Sequence, residues 1–260
     1  MKKICTIIGI AIVSIAIIVI GVFMVMGRTY KVKNPVATIV IEGYDNPIKI
    51  ELDPQAAPNA VANFIRLANN GFYTDYKMKI GEKMITSDDT MNLATMSNIV
   101  EYPEKDYIYG IKGDFIANGH ENLIKHKKGV ITMLIAYQYF GADGFDTANS
   151  YFNILTQDYD EMNEYNAAFG TIIEGMDVLD KIAESRVESD TTEDEEISTE
   201  ETSEDTEENT ITIKSITVDT FGIDYGVPET VDRTEYWETI DSYLGTNYSG
   251  TNDLSTTITE

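Results

Sequence analysis

Ala168-Phe169-Gly170-Thr171-Ile172-Ile173-Glu174-Gly175-Met176-Asp177-Val178-Leu179-Asp180-Lys181-Ile182 decides how this chain folds. It joins a strand, a tight turn and the start of an amphipathic helix that runs from Gly175 or Met176 to about Ala183. Upstream, Gly129–Ala136 and Ser150–Leu155 carry the β-branched and aromatic content of further short strands. Near the start, Val36–Glu42 and Ile48–Leu52 read as a hairpin around the turn Gly43-Tyr44-Asp45-Asn46-Pro47. Asn59–Asn69 places Val61, Phe64, Ile65 and Ala68 at helical spacing, with Asn59 as cap and Gly71 as stop. Between Tyr73 and Asn122 only Met84-Ile85 and Tyr107-Ile108-Tyr109 stand out as short apolar pieces.

Downstream of the deciding stretch the composition changes abruptly. Glu184–Asn209 is acidic and rich in Ser and Thr, with almost no apolar side chain. It cannot bury enough apolar surface to offset the entropy of ordering, so it is expected to be disordered. Strand character resumes at once in Thr210–Val218, which makes the acidic run an insertion inside one domain. Closure entropy grows only logarithmically with loop length, so a barrel tolerates it. The domain is expected over 36–224, with a linker at 28–35 and a tail at 225–260. In that tail Tyr236, Trp237, Ile240, Tyr243 and Leu244 form one short helical face or fray.

From Ile4 to Gly27 there is no charged side chain. About 24 residues at roughly 1.5 Å each give about 36 Å, enough to cross a hydrocarbon core of about 30 Å. A cleaved signal peptide would end at a small-x-small site, and Gly21–Met26 offers none, so an uncleaved anchor at 4–27 is expected. Lys2 and Lys3 before the span nearly balance Arg28, Lys31 and Lys33 after it, leaving orientation undecided by charge. Cys5 is the only cysteine, so no disulfide can form within the chain. The net charge of -25 excludes nucleic acid as a partner, since phosphate binding needs clustered Lys and Arg.

No metal or cofactor is expected. His120 and His126 are the only two histidines and have no cysteine nearby. Asp143-Gly144-Phe145-Asp146 lacks the remaining ligands of a calcium loop, and Asp158-Tyr159-Asp160-Glu161 reads as solvated surface. No nucleophile with an oriented base can be assembled from these motifs.

The deciding stretch resembles the closing segment of a cyclophilin-type peptidyl-prolyl isomerase. The resemblance extends through Pro47–Asp53, Ala57–Phe64, Gly71-Phe72-Tyr73 and Ile216–Gly222, covering roughly Val36 to Gly222. It implies a mainly β architecture: a closed antiparallel barrel capped by two helices, preceded here by one transmembrane helix. With the acidic remainder it also implies that residues 1–3 are cytoplasmic and that the domain lies outside the cytoplasmic membrane. There it would act on Pro-containing or extended segments of exported proteins.

Prolyl isomerisation has a barrier of about 18 to 20 kcal/mol, because the amide loses resonance as it twists. A catalyst needs an apolar pocket, hydrogen bonds that fix the flanking backbone, and a donor to the imide nitrogen. The resemblance implies where these would lie. Tyr76-Lys77-Met78 falls on the family's Phe-His-Arg stretch, so Met78 occupies the arginine position and Thr86 the position of a glutamine. Ser150-Tyr151-Phe152-Asn153-Ile154 falls on Ser-Gln-Phe-Phe-Ile, placing Asn153 on a pocket phenylalanine. Met162 falls on the pocket leucine, Asn166 on the pocket histidine, and Met84 keeps the pocket methionine. The expected substrate-binding set is therefore Met84, Thr86, Tyr151, Phe152, Asn153, Met162 and Asn166, with Lys77 or Lys79 as surrogate donor for the lost arginine. A charge-assisted hydrogen bond is worth about 1.5 to 3 kcal/mol, so losing it slows catalysis about tenfold to a hundredfold or more. The expectations are a weak isomerase or, in a second reading, a groove that binds peptide without twisting it.

Overall fold

The computed structural model describes residues 33–87, 93–95, 107–135, 141–186, 209–236 and 238–239. The expected anchor at 4–27 and most of the acidic insertion lie outside the described residues. Among the described residues no helix is long and apolar enough to cross a membrane.

Eight strands close into a barrel. In chain order they are β1 (Val36–Ile41), β2 (Ile48–Leu52), β3 (Tyr76–Ile80), β4 (Met84–Ser87), β6 (Val130–Met133), β7 (Phe152–Leu155), β8 (Ala168–Glu174) and β9 (Thr210–Asp219). Around the barrel the order is β1-β2-β8-β6-β7-β4-β3-β9, every pairing antiparallel. The expected barrel is therefore observed, and the strand after the acidic insertion belongs to it: β9 lies between β1 and β3. Val40 pairs with Ser215 but Ile41 with Ile213, so a bulge that leaves Lys214 of β9 as the extra residue shifts the register against β1. The shift lets Ile211 and Ile213 point inward from one half of β9 while Ile216 and Val218 do so from the other.

The strand period of two sends alternate side chains into the barrel. Tyr76, Met78 and Ile80 point in from β3, Ile131 and Met133 from β6, and Phe152 and Ile154 from β7. Aromatic rings dominate one part of this interior, with Phe152 stacked on Tyr76 at 6.1 Å and edge-on to Tyr73 at 5.3 Å. Helix α1 (Pro58–Asn69) contributes Phe64, whose ring lies 5.5 Å from that of Phe152 and 5.2 Å from that of Phe169.

The start of α1 differs from the expected cap. Ala57 is the N-cap residue, Pro58 opens the helix, and Asn59 lies in the first turn. The acceptor comes from afar: Asp114 takes the backbone N–H of Asn59 at 2.7 Å, that of Ala60 at 3.0 Å, and the Asn59 side-chain amide at 2.8 Å. Pro58 lacks an N–H, so these contacts satisfy the next two donors of the turn. Burial pushes the Asp114 carboxyl above its ordinary value, and the donors from Ala60 and Asn59 oppose that shift.

At the end of the deciding stretch, Gly175 caps helix α2 (Met176–Glu184) with φ +89. A Cβ there would sit 2.7 Å from the Pro47 carbonyl oxygen, so both the handedness and the close approach require glycine. Outside the barrel, β5 (Tyr109–Ile111) pairs with β10 (Thr230–Asp232). The segment read as tail thus begins with a strand, and Tyr225 and Tyr236 pack against the main core.

Candidate functional site

The same alternation that fills the barrel leaves a second set of side chains on the outer side of its wall, where all but the two from β4 are themselves buried. On β4 these are Met84 and Thr86, on β7 Asn153 and Leu155, on β6 Val130 and Thr132, and on β8 Ala168. Register places them in rows. Lys79 is opposite Thr86, Thr86 opposite Asn153, Asn153 opposite Thr132, and Thr132 opposite Ala168. One step along, Met84 is opposite Leu155.

Leu155 belongs to an apolar cluster that also takes in Ala168 from the end of the first row. Val130, Leu155 and Ala168 form a cluster separate from the barrel interior, and Met84, Ile124, Tyr159 and Met162 pack against it. Met162 arrives on a 3-10 turn, Asp160–Asn163. At its edge, the Lys83 ammonium lies 4.5 Å from the centre of the Tyr159 ring.

The first row is polar and backed by a buried histidine. His126, 1 % exposed, places Nε2 3.0 Å from the Thr132 hydroxyl, and its Nδ1 lies 3.3 Å from Asn163 Oδ1. The same Asn163 oxygen accepts the His126 backbone N–H at 2.9 Å. An amide oxygen can only accept, so the proton resides on Nδ1, Nε2 accepts, and the Thr132 hydroxyl donates to it. Burial holds the His126 pKa below its ordinary value; the bond to Asn163 opposes this, Lys125 adds to it, and Asp160 opposes it. Nearby, Asn166 donates through Nδ2 to the Met133 carbonyl at 3.2 Å.

The residues singled out from the sequence divide between the two faces. Met84, Thr86, Asn153 and Met162 come together outside the barrel, and Asn166 is tied to the end of β6. Phe152 does not join them. Its ring is fully buried inside, against Phe64, Tyr73 and Tyr76, so it supports the wall from behind and cannot line the outer surface. Tyr151 is likewise buried in the main core. Met78 is fully buried in the interior, which takes the arginine position out of the outer face altogether. Lys77 and Lys79 alternate with it and lie outward; Lys79 faces Thr86 across the strand pair, whereas Lys77 faces Thr212 of β9. Leu155, Val130, Thr132 and His126 went unnoticed as site residues, although the alternation within Phe152-Asn153-Ile154-Leu155 already separates Leu155 from Phe152.

The chain is thus a closed eight-stranded antiparallel barrel with a partly apolar, partly polar patch on its β4–β7–β6 wall. The family model for cyclophilin type peptidyl-prolyl cis-trans isomerases matches residues 36–218, and the chain belongs to that family. It is 30% identical over 132 residues to peptidyl-prolyl cis-trans isomerase B of Bacillus subtilis, covering 51% of this chain and 80% of that protein. A peptidyl-prolyl cis-trans isomerase of Helicobacter pylori is 28% identical over 173 residues, covering 62% of this chain and 91% of that one. Among solved structures, a Cryptosporidium parvum cyclophilin type isomerase crystallised in the presence of the dipeptide Ala-Pro is similar at TM-score 0.48 and 19% identity, covering 71% of this chain and 98% of that one. The Mimivirus cyclophilin is similar at TM-score 0.48 and 21% identity, covering 73% and 90%.

Proposed function

We propose that this chain is a weak peptidyl-prolyl cis-trans isomerase or folding factor, anchored in the cytoplasmic membrane through residues 4–27 and acting outside it on exported proteins. The observation that carries the reading, in a chain of this family, is the half-buried apolar patch of Met84, Ile124, Tyr159 and Met162, which packs over the buried Leu155, Val130 and Ala168 and offers a surface suited to a proline ring. Thr86 lies one step away to hold the flanking backbone. Lys79, opposite Thr86, is the cation best placed to replace the missing arginine. An ammonium supplies charge without the planar fork of a guanidinium, hence the weak activity.

An isomerisation assay on a proline peptide, run with the full chain in detergent, tests this. Acceleration over the spontaneous rate, falling about tenfold or more in Lys79→Ala, is the expected result. A rate equal to the spontaneous one removes the enzyme reading. The second reading, a groove that binds peptide without turnover, is favoured by one observation: Met78 is sealed inside the barrel, so no side chain at the arginine position reaches the outer face. Binding of the same peptide without acceleration would select it.

A further inference from the structure

The two edges of β5 are used differently. On one, Ile111 donates its backbone N–H to the Ala148 carbonyl at 2.8 Å. On the other lies β10, and the family match ends at residue 218, so β5 is part of the matched domain and β10 is an addition to it. The addition is held mainly by backbone. Lys112 donates to the Glu229 carbonyl at 3.0 Å and Arg233 to that of Ile108 at 2.8 Å, with Val231 paired to Gly110 between them. Bonds in an antiparallel ladder fall at every second residue, so Val231 and Gly110 are a hydrogen-bonded pair. The side chains of β10 add little: Thr230 is half-buried, and Val231 and Asp232 are exposed. Ordering a residue costs about as much as one backbone bond gains, so this short strand is held near balance. β5 has firmer support of its own. Tyr109 donates its hydroxyl to Asn63 Oδ1 at 2.6 Å, and its carbonyl accepts from Asn149 Nδ2.

Two contacts give the covered edge a preference. A Cβ on Gly110 would lie 2.9 Å from Arg233 Cγ, so the glycine leaves room for the arginine stem to cross β5. Arg233 then donates through Nε to the Asp146 carbonyl at 3.2 Å. Four residues earlier, Glu229 meets the Lys112 ammonium at 3.5 Å on the exposed surface, a smaller contribution. We propose that this edge of β5 is a strand-addition site for extended polypeptide segments that carry a carboxylate and, four residues on, an arginine, and that residues 229–233 occupy it as the chain's own competing ligand. An incoming segment takes over the backbone bonds of Val231 and lays its arginine across Gly110 as β10 leaves. None of these residues belongs to the β4–β7–β6 wall, so the site stands whether or not that wall isomerises proline.

Val231→Pro removes the central N–H of β10 and frees the edge in the full chain. A fluorescent peptide with the sequence of residues 228–234, Pro-Glu-Thr-Val-Asp-Arg-Thr, is titrated by anisotropy against the unmodified chain and the variant, both in detergent. It is expected to bind the variant about tenfold or more tighter than the unmodified chain. N-methylation of its valine should abolish that binding, and alanine in place of its arginine should weaken it about fivefold to tenfold. No binding to a variant that thermal melting shows to be folded, equal binding to both chains, or binding indifferent to N-methylation and to loss of the arginine overturns the proposal. If Val231→Pro does not fold, amide hydrogen exchange of the unmodified chain decides. Gly110 and Lys112 exchanging about tenfold or more faster than Ile154 of β7 sustains a displaceable strand, and equal protection overturns it.

Discussion

The two faces of β7 carry different demands on neighbouring residues. Inward, Phe152 and Ile154 are sealed among aromatic and aliphatic side chains, where shape and volume decide the residue. Outward, Asn153 and Leu155 lie in a wall that mixes an apolar cluster with an orphaned amide oxygen. The inner face is built for stability and leaves no polar group idle on this strand. The outer face keeps one buried acceptor unsatisfied, which costs stability.

The comparison breaks most sharply at Met78. Restoring the family residue with Met78→Arg would place an unpaired guanidinium in the barrel interior, at a cost of about 3 to 5 kcal/mol or more. Chemical denaturation should show a collapse of stability, with no gain in isomerisation. A soluble, stable and more active Met78→Arg would mean that β3 presents this position outward. Phe152→Ala comes next, with about 3 to 5 kcal/mol of stability lost in chemical denaturation because three aromatic rings lose a shared neighbour. A loss below about 1 kcal/mol would contradict its place inside.

His126 gives a smaller, pH-dependent effect. Its folded pKa lies below the ordinary 6.5, so the unfolded chain binds the extra proton more readily than the folded one. Its stabilising contribution is complete above about 6.5 and is lost as the pH falls from there toward the folded value. Melting temperature should drop over that window by about 2 to 4 °C for each kcal/mol lost. In His126→Gln that component should vanish. An identical pH profile in the two proteins would rule out the buried neutral imidazole.

The smallest effect has the opposite sign. Asn153→Leu removes a buried, unsatisfied acceptor and should leave stability unchanged or raise it by about 1 kcal/mol. A loss of more than about 1 kcal/mol would show that Asn153 has a structural partner.

Much of the fold was legible in the sequence because its signals are local. The strand, turn and helix of Ala168–Glu184 and the hairpin at Val36–Leu52 are read from period and turn residues alone, and all are observed. What escaped depends on contacts remote in sequence. Asp114 caps α1 across 54 and 55 residues, so Asn59 took its place in the reading of the helix start. Thr230–Asp232 carries too few residues to announce a strand and becomes one only against β5. At the site, matching motifs placed Phe152 beside Asn153 as though both faced the ligand. The two-residue period of a strand separates them, and it was the physical rule that the motif comparison left out.

Strand β9 carries a further consequence. It is hydrogen-bonded to both β1 and β3, and among the described residues no other strand pairs with both. On a ribosome, where synthesis runs from the amino end, β1 and β3 each wait with a bare edge until Asp219 has been made, after the whole acidic stretch has passed. Bare edges invite pairing with other chains. The last strand of the barrel works as a latch: the first part of the domain can collapse early, but closing the ring is a late event that needs nearly all of the domain.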